Sequence, residues 1–82
     1  MLTNEELVSK IKKYGPEKDA KIRDSGGMFL FVTKNGAKSW RLKYRVAGKE
    51  KLLVLGRYPD VSLKIARKMR EDAKRIIAEA HG

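Results

Sequence analysis

The stretch KSWRLKYRV, Lys38–Val46, alternates apolar and basic side chains without interruption after its second residue. The two sets occupy even and odd positions respectively: Trp40, Leu42, Tyr44 and Val46 against Arg41, Lys43 and Arg45. Successive side chains of a β-strand point to opposite faces of the sheet. The stretch therefore predicts a strand with one apolar face for a core and one face that carries three cations.

Turn signals on both sides of this strand predict two β-hairpins. Ala47-Gly48 joins it to a returning strand, Lys49–Leu55, and Lys34-Asn35-Gly36 joins it to a preceding strand, Met28–Thr33. The preceding strand is rich in aromatic and β-branched residues, which favour strands. The centre of the chain is therefore expected to form a three-stranded antiparallel sheet.

A loop at Ala47 and Gly48 also fixes which residues oppose each other in the second hairpin. The expected core pairs are Trp40 with Leu55 and Leu42 with Leu53. On the other face the expected pairs are Arg45 with Glu50, Lys43 with Leu52 and Arg41 with Val54. Opposite charges at directly opposed positions predict an ion pair between Arg45 and Glu50. If Leu30 and Val32 face the core, Phe31 and Thr33 share the basic face.

Helical patterns flank the sheet region. Thr3 and Glu6 form a capping box at the start of a short helix that Gly15-Pro16 should end. Ser62 is the expected N-cap of a second helix, from Leu63 to about Ala80. We predict an α+β fold: a three-stranded antiparallel sheet, with residues 20–24 as a candidate short fourth strand, packed on a C-terminal helix, with a short N-terminal helix.

The second helix carries an apolar stripe that can cover one face of the sheet. Its members recur at helical spacing: Ala66, Met69, Ala73, Ile76, Ile77 and Ala80. The basic residues of this helix are expected largely outside the stripe: Lys64, Arg67, Lys68, Arg70, Lys74 and Arg75. One helix cannot cover both faces of the sheet, so the basic face should stay open.

The charge of the chain is concentrated near this face. The 82 residues carry 20 Lys and Arg against 10 Asp and Glu, and residues 34–58 hold eight of the basic residues with Glu50 as their sole acid. A localised basic surface is typical of nucleic-acid binding. A membrane surface would usually be met by a basic amphipathic helix. The charge therefore favours nucleic acid as the partner.

Catalysis, cofactors and metals are not expected. The chain has no cysteine and a single histidine, His81, one residue from its end, which excludes the usual spacing of metal ligands. Gly26-Gly27 lacks the lysine and hydroxyl of a phosphate-binding loop and reads as a turn. No apolar run is long enough to span a bilayer, and the absence of cysteine is compatible with a reducing setting.

The basic face suits duplex DNA. A major groove admits a two-stranded ribbon, arginine reads guanine there, and apolar groups contact thymine methyls. An ordinary solvated face is the simpler alternative, but it does not require so much charge of one sign. The residues expected to contact DNA are Phe31, Thr33, Lys34, Lys38, Arg41, Lys43, Arg45, Lys49, Leu52 and Val54.

Four segments resemble a known family: Gly26–Val32, Lys38–Arg45, Leu55–Pro59 and Ser62–Arg67. Together they resemble the N-terminal arm-type DNA-binding domain of phage-type tyrosine recombinases, the integrases of prophages and genomic islands. The resemblance implies binding to arm-type sites of attachment DNA, with a three-stranded sheet presented to the major groove. Phe31, Leu52 and Val54 depart from it, since family members often carry polar or basic residues there.

The resemblance also implies that residues 1–82 are a single, non-catalytic arm-type domain excised from a longer integrase. The core-binding domain and the catalytic domain are absent from this chain. The expected partners are double-stranded DNA and the other domains and protomers of the parent integrase, with no membrane. The isolated domain is expected to be a monomer in the bacterial cytoplasm, associated with the nucleoid.

Two other binding functions remain open at this level. An RNA-binding sheet usually exposes aromatic rings on which bases stack, so burial of Trp40 would count against it. A protein-interaction module for an acidic partner would bind any polyanion without preference for a duplex. A self-contained enzyme is the least favoured hypothesis, because the chain lacks catalytic groups.

Overall fold

The computed structural model describes residues 1–13 and 18–81, without the side chain of His81. Its elements in chain order are α1 Asn4–Lys13, β1 Ala20–Arg23, β2 Met28–Val32, β3 Lys38–Val46, β4 Lys49–Arg57 and α2 Leu63–His81. The strands form one antiparallel sheet in the order β1-β2-β3-β4. The predicted α+β fold is confirmed, and the candidate fourth strand, β1, is a full member of the sheet.

The predicted register of β3 and β4 is confirmed from Arg41 to the hairpin turn. It is wrong from Trp40 back to the start of β3. Arg41 opposes Val54 as expected, but Trp40 opposes Gly56 and not Leu55. A β-bulge between Trp40 and Arg41 leaves Leu55 as an extra residue on β4. Strand β4 runs to Arg57, two residues past its predicted end.

The bulge shapes the core around Trp40. The indole is fully buried, and its Nε1–H donates a 2.7 Å hydrogen bond to the carbonyl oxygen of Val61. Tyr58 packs edge-on against the indole, with ring centroids 6.1 Å apart. A Cβ on Gly56 would lie 2.6 Å from a methyl of Val61, so only glycine allows this close approach.

Both helices contribute to a core on one face of the sheet. Its buried members are Leu2, Leu7, Ile22, Met28, Leu30, Val32, Trp40, Leu42, Leu63 and Ala66. The predicted apolar stripe of α2 is only partly right: Ala66 is buried and Ala73 packs on the core, but Ile76 is 59% exposed. Contact with the core is therefore concentrated in the first turns of α2.

Arg70 and Arg67 were expected on the solvent side of α2, and this expectation is wrong. Arg70 is 9% exposed, and both guanidinium groups reach the fully buried carboxylate of Asp24. Arg67 donates to the two carboxylate oxygens at 2.9 and 3.0 Å, and Arg70 donates to one of them at 3.2 Å. The Leu2 N–H completes the set at 3.0 Å. Because a buried carboxylate needs partners, Asp24 draws two arginines onto the inner side of the helix.

The N-terminal ends of both helices agree with the sequence-based predictions. Thr3 Oγ1 accepts from the Glu6 N–H at 3.1 Å, and Ser62 Oγ accepts from the Ile65 N–H at 3.2 Å, so both predicted caps are confirmed. The predicted stop at Gly15-Pro16 lies outside the described residues. Within the described part of the chain, neither helix is long and apolar enough to cross a membrane.

Candidate nucleic-acid interface

The sheet face opposite the core collects side chains from all four strands. Residues paired across antiparallel strands share a face, so the registers define this surface, called the open face below. Its members are Lys21, Arg23, Phe29, Phe31, Ser39, Arg41, Lys43, Arg45, Glu50, Leu52, Val54 and Arg57. Six of these are cations and one is an acid, so the open face is strongly positive.

Six of the ten residues predicted to contact DNA lie together on the open face: Phe31, Arg41, Lys43, Arg45, Leu52 and Val54. Thr33 and Lys34 lie in the turn between β2 and β3. Lys38 pairs with Val32, and Lys49 pairs with Val46. Both lysines therefore belong to the core side of the sheet, at the ends of their strands. The structure therefore groups the predicted residues into a central set of six and a periphery of four.

Arg41 is held in place on the open face. Its guanidinium carbon lies 4.3 Å from the centroid of the Phe31 ring, and its Nε–H donates a 3.1 Å hydrogen bond to Ser39 Oγ. A cation over an aromatic face is favourable, and the hydrogen bond fixes the rotation of the group. Arg41 is half-buried as a result.

The predicted ion pair between Arg45 and Glu50 is replaced by a different one. Arg45 and Glu50 are opposed as expected, but the Glu50 carboxylate lies 3.8 Å from Lys43 Nζ. Long side chains reach diagonal neighbours across a sheet, which makes this pairing accessible. Both partners are largely exposed, so the pair contributes little to stability, and Lys43 remains available to another anion.

Three cations of the open face were missing from the predicted site. Lys21 lies on β1, with its Nζ 5.2 Å from the centroid of the buried Phe29 ring. Arg23 opposes Phe29 in the same sheet. The alternation of Lys21, Ile22 and Arg23 indicates a strand with two cations on one face. These cations could be assigned to the open face only once β1 was known to pair with β2. Arg57 was missed because the bulge places it opposite Ser39.

Two depressions mark the surface on this side of the molecule. A cavity of about 210 Å³ lies beside Phe29 and is lined by Lys21, Arg23 and Lys43 among others. A wider groove of about 630 Å³ lies at the turn between β2 and β3. The groove brings Arg41 and Val54 next to Arg57, so basic and apolar side chains line it together.

Leu52 and Val54 form an apolar strip beside these cations. They are 48% and 56% exposed, respectively, and they oppose Lys43 and Arg41. Exposed apolar side chains are common on protein surfaces, but these two lie side by side on one face of β4. On β4 this strip lies between Glu50 and Arg57, so the open face combines cationic and apolar groups.

Comparison with known proteins identifies a family and several related proteins. Residues 2–81 match the family described as Arm DNA-binding domain. The chain is 49% identical over 51 residues to the putative protein IntB of Escherichia coli K12, covering 62% of the chain and 13% of that protein. It is 39% identical over 62 residues to the integrase of Shigella phage Sf6 and, separately, to the prophage integrase IntS of Escherichia coli K12. Each of these two alignments covers 76% of the chain and 16% of the relative.

The chain thus spans less than a fifth of the length of these relatives. The family match, by contrast, covers nearly the whole chain and includes every strand and both helices. The resemblance drawn from the four sequence segments is confirmed, and the chain belongs to the Arm DNA-binding domain family.

Proposed function

We propose that this chain binds double-stranded DNA sequence-specifically at arm-type sites of an attachment region. In this proposal the open face enters the major groove, and binding supports site-specific recombination by a longer integrase. The observation that carries the proposal is the open face itself, with its six cations and one acid on a rigid sheet. The integrase names of the relatives and the family match support the same class of partner.

The dimensions of the hairpin suit this mode of binding. Strands β3 and β4 each contain nine residues, which corresponds to roughly 30 Å at about 3.3 Å per residue. Paired strands lie about 4.8 Å apart, and the major groove is about 12 Å wide. The two-stranded ribbon therefore fits within the groove, with side chains of the open face directed at base edges and with Lys34, Lys38 and Lys49 near the flanking phosphates.

The aromatic side chains argue against single-stranded RNA as the main target. Trp40 is fully buried, Phe29 is 5% exposed beneath Lys21, and the Phe31 ring is covered by Arg41. Base stacking needs a free ring face. The open face thus offers charged and apolar groups for groove edges in place of a stacking surface.

The remaining expectations follow from the same proposal. Residues 1–82 act as a single binding domain without catalysis of their own, and they work with the other domains and protomers of an integrase. Tethering of this domain to a second DNA-binding domain would raise the effective concentration of each at its site. The isolated domain is proposed to be monomeric and to act on DNA in the bacterial cytoplasm.

The test is a titration of the isotope-labelled domain with duplexes that tile an attachment region, with an RNA duplex as the control. Backbone amide shifts confined to β3, β4 and the turn before β3, with DNA only, are the expected result. The Arg41→Ala, Arg45→Ala double variant should lose about 1–3 kcal/mol of specific affinity. The matched control, Lys64→Ala with Lys68→Ala on the exposed side of α2, removes the same charge and should retain specificity.

Two outcomes would contradict the proposal. Equal responses to DNA and RNA would indicate a general polyanion binder, in line with the acidic-partner alternative. Normal specific binding by the correctly folded Arg41→Ala, Arg45→Ala variant would show that the open face is not the reading surface.

A further inference from the structure

Among the three cations of β3 on the open face, Arg41 alone is oriented by two separate contacts. Its guanidinium lies on the Phe31 ring at 4.3 Å, and its Nε–H is bound to Ser39 Oγ at 3.1 Å. Lys43 is paired with Glu50 at 3.8 Å, while Arg45 lies next to the hairpin turn and is exposed. The three cations are therefore not equivalent, although the sequence pattern presents them as a uniform row.

The contacts of Arg41 leave the outer edge of its guanidinium available. In the part of the chain that the structure describes, no hydrogen bond or ion pair engages its two terminal nitrogens. Two parallel N–H donors in a fixed plane match the O6 and N7 acceptors of guanine in the major groove. A donor that is already fixed in position loses less conformational freedom on binding.

Val54 lies beside this donor pair. It opposes Arg41 across β3 and β4 and is 56% exposed. Directly opposed Cβ atoms lie about 5 Å apart, which is between one and two base steps of about 3.4 Å along a strand. Val54 and Arg41 line the same groove, where an apolar group can contact the 5-methyl group of a thymine next to the base that Arg41 reads.

We propose that Arg41 reads a guanine, with Phe31 and Ser39 as positioning residues, and that Val54 contacts the methyl of an adjacent thymine. The inference rests on the proposed function and adds to it a base assignment for one side chain and its neighbour. Lys43 and Arg45 then serve mainly to attract phosphates. The recognised element contains a guanine next to a thymine.

The test begins with selection of binding sites by the 82-residue domain from a randomised duplex pool. The selected consensus should contain a guanine beside a thymine. Single-atom changes in the selected duplex then identify the contacts. Replacing that guanine with 7-deazaguanine removes the N7 acceptor. Replacing that thymine with uracil removes the 5-methyl group. Binding to each duplex is measured by fluorescence anisotropy.

Arg41→Lys keeps the charge but loses the paired donors. It should weaken binding to the consensus by about 5- to 150-fold, the range of one bidentate base contact. Because a lysine can still donate to N7, complete loss of the sensitivity to 7-deazaguanine is expected in Arg41→Ala. Arg45→Lys is the matched control and should retain that sensitivity. Val54→Ala should abolish the effect of uracil, which in the unaltered domain is expected to be about fourfold, as for one buried methylene group.

The positioning role of Phe31 needs its own readout. Phe31→Tyr keeps the aromatic face and should preserve discrimination between guanine and 7-deazaguanine, whereas Phe31→Leu should reduce it several-fold. A purely structural role would lower the thermal stability of Phe31→Leu and leave the discrimination of its folded fraction intact, which would overturn the positioning assignment.

The proposed function and this inference fail in different ways. A well-defined consensus whose binding ignores 7-deazaguanine at every guanine, or keeps that sensitivity in Arg41→Ala, would overturn the assignment to Arg41 and leave DNA recognition standing. Selection that yields no consensus, with equal affinity for RNA duplexes, would overturn the proposed function and the inference with it.

Discussion

Replacing Asp24 with asparagine should strongly lower the free energy of unfolding of this domain. The Asp24 side chain is fully buried. Burial opposes its ionisation, but the hydrogen bond from Arg67, the backbone N–H groups of Leu2 and Ser25 and the charge of Arg67 outweigh this effect. Together they lower the pKa of Asp24 from 3.8 to about 2.

The magnitude follows from the pKa. One pKa unit corresponds to about 1.4 kcal/mol, so the ionised carboxylate contributes about 2.5 kcal/mol to the free energy of unfolding at neutral pH. The Asp24→Asn variant also leaves Arg67 and Arg70 without their carboxylate, and breaking a buried pair costs about 3–5 kcal/mol. Arg67 keeps about a quarter of its side chain exposed, so we expect a loss of about 2.5–4 kcal/mol. A chain of this length has a total stability of about 4–12 kcal/mol.

The pH dependence has a definite sign. The pKa of Asp24 is lower in the folded protein than in the unfolded chain, so its stabilisation is fully present above about pH 4 and is lost as the pH falls through about 2. The unaltered domain should therefore lose stability over this range. Asp24→Asn should lack this component, because asparagine does not titrate.

Urea unfolding followed by circular dichroism at pH 7, pH 4 and pH 2 measures both effects. Asp19→Asn is the matched control, since the Asp19 carboxylate is exposed and accepts a hydrogen bond from the Lys34 N–H at 2.9 Å. This control should lose less than about 1 kcal/mol. A loss below about 1 kcal/mol for Asp24→Asn, or an unchanged pH dependence between pH 4 and pH 2, would refute the reasoning.

Three further predictions concern the core and the interface. Trp40→Phe removes the donor to Val61 and should lower the free energy of unfolding by about 1–3 kcal/mol, measured by thermal denaturation. Gly56→Ala forces a Cβ to within 2.6 Å of a Val61 methyl; the same assay should show a loss of about 1–3 kcal/mol, and an unchanged melting temperature would show that Val61 moves freely. In anisotropy titrations, log affinity should fall with log salt at a slope near −5 for about six phosphate contacts, and a slope near zero would exclude phosphate binding.

The sequence predicts the sheet well because its main signal has a period of two. The alternation in Lys38–Val46 defines the faces of β3, and the Ala47-Gly48 turn sets the register as far as Arg41. Local patterns of this kind depend on neighbouring residues alone. The caps at Thr3 and Ser62 were found for the same reason.

The errors arise where a residue's position depends on a distant partner. Arg70 was assigned to the solvent side of α2 because it is charged, but its partner Asp24 lies 46 positions earlier in the chain. No periodicity within the helix reveals that pair. Likewise, the orientation of Arg41 depends on Phe31 of the neighbouring strand. The location of the candidate interface was thus predictable, while the distinction among its cations was not.

The bulge between Trp40 and Arg41 links the core to the interface. A one-residue change of register turns every later side chain to the opposite face. Without the bulge, the turn-derived register would place Arg57 opposite Lys38, on the side of the core. With it, Arg57 opposes Ser39 on the open face and lines the same groove as Arg41. The bulge that places Gly56 opposite Trp40 therefore also adds a cation to the open face, so packing of the core helps to determine the charge offered to DNA.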